Sequence, residues 1–265
     1  MALLSPRHLD PVVPIGVRRG RTAVEFVATG FTYDLWVGDR SLGNEKFCHF
    51  IVTNRHVIEH RETLFVRQNY SSDTHVSINS PRDAWFFHPN PDIDVAVLQY
   101  DLPDSNGEPI KVPHPYNNRL ALQREQLTEV QFGEGDEVFV LGFPLAMVAG
   151  GHRNYAIVRQ GVIARIQDWY DHVVESFLID ALVFPGNSGG PVLTKPTSYS
   201  AHGNPIDHAY LIGMVSESVA YESTARSERT GRVVLASTEN TGLAQVIPIE
   251  TIEETIRLAL RPDPA

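Results

Sequence analysis

Phe184-Pro185-Gly186-Asn187-Ser188-Gly189-Gly190-Pro191-Val192 packs one serine among three glycines and two prolines, between two apolar runs. Glycine weakens a helix or strand interior, and proline removes a backbone donor. The run therefore reads as a tight, stiffened turn that holds one hydroxyl at a fixed point. Gly186 offers a backbone angle closed to other residues, and Gly189 and Gly190 leave room for another stretch of chain to lie close. One reading is a reactive serine; its own N–H and that of Gly186 would then form an oxyanion hole. The other is a plain turn joining two strands.

The upstream sequence bears on that choice. A serine hydroxyl is a weak nucleophile at neutral pH and needs a base, which in turn needs an orienting group. His56 sits in Phe50-Ile51-Val52-Thr53-Asn54-Arg55-His56-Val57-Ile58, and Asp94 sits in Pro91-Asp92-Ile93-Asp94-Val95-Ala96-Val97-Leu98. The order is histidine, aspartate, serine. With these three motifs in this order, the chain resembles the trypsin-like serine proteases of the chymotrypsin fold, most of all the protease domain of the HtrA group. The resemblance covers roughly residues 20 to 255.

That resemblance implies an all-β fold of two six-stranded antiparallel barrels with the active site in the cleft between them. It implies catalytic His56, Asp94 and Ser188, and an oxyanion hole from the N–H groups of Gly186 and Ser188. Ser216, in Ile212-Gly213-Met214-Val215-Ser216, matches the family's strand beside the substrate, where it supports the aspartate. Asp92 lies two residues before Asp94 and would point the same way in one strand, so it stays an alternative. Leu182 stands where trypsin carries its charge-selecting aspartate. With Leu182, Val183 and Phe184 preceding the turn, an apolar or small residue before the cut is expected. Asn187 replaces the aspartate that pairs with a freed N-terminus in digestive trypsins, so activation by N-terminal cleavage is not expected. Neither is a PDZ domain, nor any metal or other cofactor.

Periodicity supports the fold class independently. Short apolar runs punctuated by turn residues recur from Thr22 onward, as in an all-β barrel or sandwich. Residues 1–20 read as an irregular arm, 21–118 as a first barrel, 119–131 as a connector, 132–248 as a second barrel and 249–265 as a terminal helix and tail. Arg119 to Thr128 and Ile249 to Leu260 are the helical segments, and Ala220 to Gly231 reads as a polar loop. The net charge of −10, from 22 basic and 32 acidic side chains, argues against nucleic-acid or membrane partners, while the resemblance implies a protein or peptide substrate. Cys48 is the one cysteine, no stretch reaches membrane-spanning length, and the first residues make a poor leader. A cytoplasmic protein is the simplest expectation.

Three rivals remain. Gly186-Asn187-Ser188-Gly189-Gly190 fits the nucleophile elbow of α/β-hydrolases, which must open into a helix. His56-Val57-Ile58-Glu59-His60 fits an inverted zinc-peptidase motif, which needs a long helix. A catalytically silent binding module of the same fold is the third.

Overall fold

The computed structural model describes residues 4–20, 23–38, 46–70, 74–100, 113–198, 204–226, 229–230 and 232–261. Its first half contains β1 (Val12–Arg19), β2 (Ala23–Val37), β3 (Lys46–Thr53), α1 (Arg55–Ile58), β4 (Thr63–Asn69), β5 (His75–Pro81), β6 (Phe86–Phe87), β7 (Ala96–Gln99) and β8 (Tyr116–Asn117). These strands form one eight-stranded sheet in the order β5-β4-β1-β2-β3-β7-β6, with β8 laid parallel to β2. The second half contains α2 (Arg124–Glu129), β9 (Glu137–Gly142), β10 (Ile157–Arg165), α3 (Gln167–Tyr170), β11 (Phe177–Asp180), β12 (Pro191–Thr194), β13 (Leu211–Arg226), β14 (Val233–Pro248) and α4 (Ile249–Ala259). Its six strands close into an antiparallel barrel, β10-β11-β14-β13-β12-β9. Among the described residues, no helix is long and apolar enough to cross a membrane.

Each half has its own core. Val13, Ile15, Ile51, Val66 and Trp85 fill the sheet, and Val138, Ile163, Trp169, Ile179 and Val246 fill the barrel. A further cluster joins them, with Phe31, Tyr33 and Phe50 of the sheet against Leu141, Phe143, Leu211, Ile252 and Ile256. Helix α4 is pinned to the sheet by one buried carboxylate. Glu253 accepts from the Tyr33 hydroxyl and from Gln123 Nε2 at 3.0 Å. Burial, followed by the Glu253 charge, pushes the Tyr33 phenol well above its usual range, so it remains a donor.

Two expectations need correction. Residues 12–19 are not part of an irregular arm but form β1, with Val12, Val13 and Ile15 fully buried. Pro6, Pro11 and Pro14 and the lack of a period hide this strand in the sequence. Pro14 is tolerated because β4 pairs β1 only at Ile15 and Gly16, which leaves the open side at Pro14 without a ladder to break. The expected polar loop from Ala220 is largely a β-ribbon, since β13 and β14 stay paired from Gly213↔Pro248 out to Arg226↔Val233. Its residues meet solvent on both faces, so no apolar alternation marks them as strand. The all-β fold of two units is as the resemblance implies, with the second half a closed six-stranded barrel and the first a curled sheet that reaches eight strands by including the two-residue strands β6 and β8.

Candidate active site

Ser188 lies in the turn between β11 and β12, and the turn is fastened through its backbone. The Ser188 carbonyl accepts from Thr29 N–H at 3.0 Å, Gly189 N–H donates to the Val215 carbonyl at 2.8 Å, and Gly190 N–H donates to Asn187 O at 2.8 Å. Gly186 and Gly189 have φ of +100° and +81°, angles that side chains resist. At Gly189 a Cβ would stand 2.2 Å from the Thr29 carbonyl and 2.4 Å from Thr53 Oγ1, so only glycine fits.

Two carbonyls beside Gly186 are also committed. Pro185 O accepts from Leu145 N–H at 2.8 Å, and Gly186 O accepts from the Thr29 hydroxyl at 2.6 Å. A trans peptide points its N–H opposite to its C=O. The Pro185 carbonyl bond therefore turns the Gly186 N–H away from Leu145. Leu145 and Ala146 both adopt left-handed angles, φ 53° and 55°, which is strained backbone for such residues.

His56 rides on the one-turn helix α1, directly after β3. Asp94 accepts three hydrogen bonds that orient both residues. Its Oδ2 takes His56 Nδ1–H at 2.8 Å and the Ser216 hydroxyl at 2.8 Å, and its Oδ1 takes the His56 backbone N–H at 2.9 Å. The fully buried Asn54 donates from Nδ2 to the Asp94 carbonyl at 3.0 Å. It is Asp94, not Asp92, that holds the imidazole. His56 keeps 48% of its side-chain surface exposed, so its far ring edge is open to a ligand.

These groups converge through short paths. Thr29 and Thr53 clamp the serine turn, and His56 follows Thr53 by three residues. Gly189 bonds Val215, and the next residue, Ser216, bonds Asp94. Among the described residues no hydrogen bond joins the Ser188 hydroxyl to the His56 ring. A cavity of about 390 Å³ is lined by His56, Asp92, Asp94 and Ser216, and another of about 330 Å³ by Val183, Phe184, Ser188 and Val215. Glu217 borders both.

Phe184 is thus placed beside Ser188, where the Arg159 guanidinium stacks over its ring at 5.1 Å. Leu182 is not. It is 49% exposed between the buried Ala181 and Val183, and it lines neither cavity. Extended backbone alternates its side chains, so the inward position falls to Val183. Asn187 is 2% exposed, and its Nδ2 has no hydrogen-bond partner among the described residues. Sequence reasoning missed Thr29, Thr53 and Asn54 as site residues.

The rival motifs fare differently here. Ser188 leads into strand β12, not a helix. Helix α1 ends at Ile58, and His60, with 83% of its side chain exposed, pairs with Glu59 at 3.2 Å.

A family model described as "Trypsin-like peptidase domain" matches residues 28–197, a span that includes His56, Asp94 and Ser188. The chain belongs to the trypsin-like peptidase domain family. Among curated proteins it is similar to "Serine protease DegP homolog" of Plasmodium falciparum, 29% identical over 151 residues, covering 56% of this chain and 14% of that protein. It is also similar to "Serine protease HtrA-like" of Staphylococcus haemolyticus, 28% identical over 157 residues, covering 55% of this chain and 20% of that protein. "Protease Do-like 2, chloroplastic" of Arabidopsis thaliana matches at 26% over 262 residues, covering 90% of this chain and 36% of that protein. The chain therefore spans well under half the length of these relatives.

Proposed function

We propose that the chain is a serine endopeptidase that works through an acyl-enzyme, with His56, Asp94 and Ser188 as the catalytic residues. The observation that carries this reading is the His56 Nδ1–Asp94 Oδ2 bond at 2.8 Å, reinforced by Ser216. It commits Nδ1 as donor and leaves Nε2 as the free base in the neutral ring.

Ser188 Oγ attacks the scissile carbonyl carbon while His56 Nε2 takes its proton. The resulting imidazolium is stabilised by Asp94. The oxyanion accepts from the N–H groups of Gly186 and Ser188, worth about 3 kcal/mol per donor. Collapse breaks the C–N bond, and His56 passes the proton to the leaving amine. Water, deprotonated by the same imidazole, then releases the acid and frees the serine. Val183, Phe184 and Val215 around the smaller cavity favour an apolar or small side chain before the cut.

The missing Ser188–His56 hydrogen bond favours a second reading, a silent binding module. Catalytic bonds are often long without substrate and tighten in the complex, which keeps the enzyme reading first. Labelling with a fluorophosphonate probe, followed by cleavage of a peptide library, compares wild type with Ser188→Ala. The enzyme reading predicts labelling and cleavage by wild type alone. No labelling of either protein would favour the module, and equal cleavage by both would remove Ser188 from the chemistry.

A further inference from the structure

A third cavity, of about 540 Å³, shares no lining residue with the two at the active site. It opens where five separate stretches meet: Ser5–His8, Asp34 of β2, the start of β3 at Phe47, the neighbourhood of β8, and His208–Ala209 just before β13. Its back wall is firm. Tyr116 is 2% exposed, pairs with Tyr33 across β8 and β2, and donates its hydroxyl to the His8 carbonyl at 2.7 Å. The Leu120 wall is fixed by two bonds to the first residue of β13, Leu211 N–H to Leu120 O at 2.9 Å and Leu122 N–H to Leu211 O at 3.0 Å.

The mouth is less finished. Phe47 and Leu120 stay 39% and 38% exposed, two large apolar side chains turned toward an empty space in a water-facing position. Apolar surface left this way at a concave site is what a ligand would cover. The charges around it are uneven. Arg7 pairs with no carboxylate among the described residues, although it lines the cavity. Asp34, the one acidic lining residue, is already engaged by His49 Nδ1 at 2.7 Å. His208 Nδ1 is taken by Asp207 at 2.9 Å, and the His8 ring lies stacked near Tyr116 at 6.2 Å. Burial and the neighbouring His208 hold the His8 imidazole below its usual pKa, so it presents a neutral ring face.

We infer that this cavity is a binding site for a small molecule with a flat apolar body and one carboxylate, the body against Phe47, Tyr116 and Leu120 and the carboxylate on Arg7. An unpaired guanidinium is suited to a carboxylate, and an aromatic-lined slot of this volume falls in the range of small-ligand pockets. The ligand would bridge the first sheet and the barrel. The site does not depend on the peptidase reading, and Ser188→Ala should leave it unchanged.

Calorimetry and thermal shift with naphthalene-1-acetate test it, with naphthalene-1-acetamide as the uncharged control. The acid should bind saturably and raise the melting temperature. The amide should bind at least about tenfold more weakly. Two surface variants report the location without touching a core: Arg7→Gln removes the charge, and Leu120→Asp sets a carboxylate at the mouth. Each should weaken the acid by about tenfold or more. The inference fails if the acid shows no saturation up to about 10 mM. It also fails if acid and amide bind equally, or if correctly melting Arg7→Gln and Leu120→Asp proteins bind the acid like wild type.

Discussion

Ser188 and His56 are held in opposite ways. The serine turn is positioned mostly by main-chain bonds to Thr29, Val215 and Leu145, joined by the Thr29 hydroxyl on the Gly186 carbonyl, and by glycines that tolerate no added carbon. The imidazole is positioned by side chains, through a carboxylate that also serves Ser216, and it stands half in solvent. A main-chain clamp moves only when the backbone moves. A side-chain clamp fails when one functional group is exchanged, with the fold left standing. The two halves of the site should therefore answer mutation differently: chemistry without stability on the histidine side, and stability together with chemistry on the serine side.

The sharpest test is Asp94→Asn. The amide presents a donor where the ring requires an acceptor, which favours the wrong tautomer of His56. Turnover should fall by about 10⁴-fold. The melting temperature should hardly change, because the group is partly exposed and the backbone around it stays bonded through Asn54. Peptide hydrolysis and calorimetry on the same sample decide it; a large loss of stability would mean that the carboxylate is structural.

Gly189→Ala should do the reverse in character. The new methyl would overlap the Thr29 carbonyl at 2.2 Å at a φ of +81°, so the turn must shift. Overpacking of this kind costs about 1–3 kcal/mol, and displacing a reacting group by about 1 Å costs on the order of 10²-fold in rate. Denaturant melts and kcat should fall together. Ser216→Ala is milder. Asp94 would keep both bonds to His56 and lose one of its three carboxylate hydrogen bonds, for an expected loss of about tenfold in kcat at unchanged KM.

Much of this contrast was open to reading in the chain itself. Glycines and prolines around Ser188 are visible because their backbone properties are local, and His56 and Asp94 stand out because charged groups interrupt apolar runs. The clamp was hidden. Thr29 and Thr53 look like ordinary strand residues, and the Thr29–Gly186 bond spans 157 positions of sequence, which no local pattern encodes. Asn54 sat inside a recognised motif, yet only the fold reveals that its amide reaches the Asp94 carbonyl. Leu182 was misplaced for a different reason. Counting back from the serine gave its position, but the alternation of extended chain turned it outward and Val183 inward. The long β-ribbon escaped because a strand exposed on both faces carries no hydrophobic period.

The smallest effect gives the most discriminating measurement. Thr29 lies beyond the last β2–β3 pair, Phe31↔Val52, so its backbone groups have no ladder partner there. Ser188 O takes its N–H at 3.0 Å, and the Thr53 hydroxyl donates to its carbonyl at 2.8 Å. In Thr53→Val that buried carbonyl loses its donor, at a cost of about 1–3 kcal/mol. The other bond survives, and it is the one that touches Ser188. Stability should therefore drop by about 2 kcal/mol, while kcat well below the melting temperature changes by less than about threefold. A fall in kcat comparable to that of Asp94→Asn would mean that the serine is held by a side-chain hydroxyl as much as His56 is held by a carboxylate, and the distinction between the two clamps would be lost.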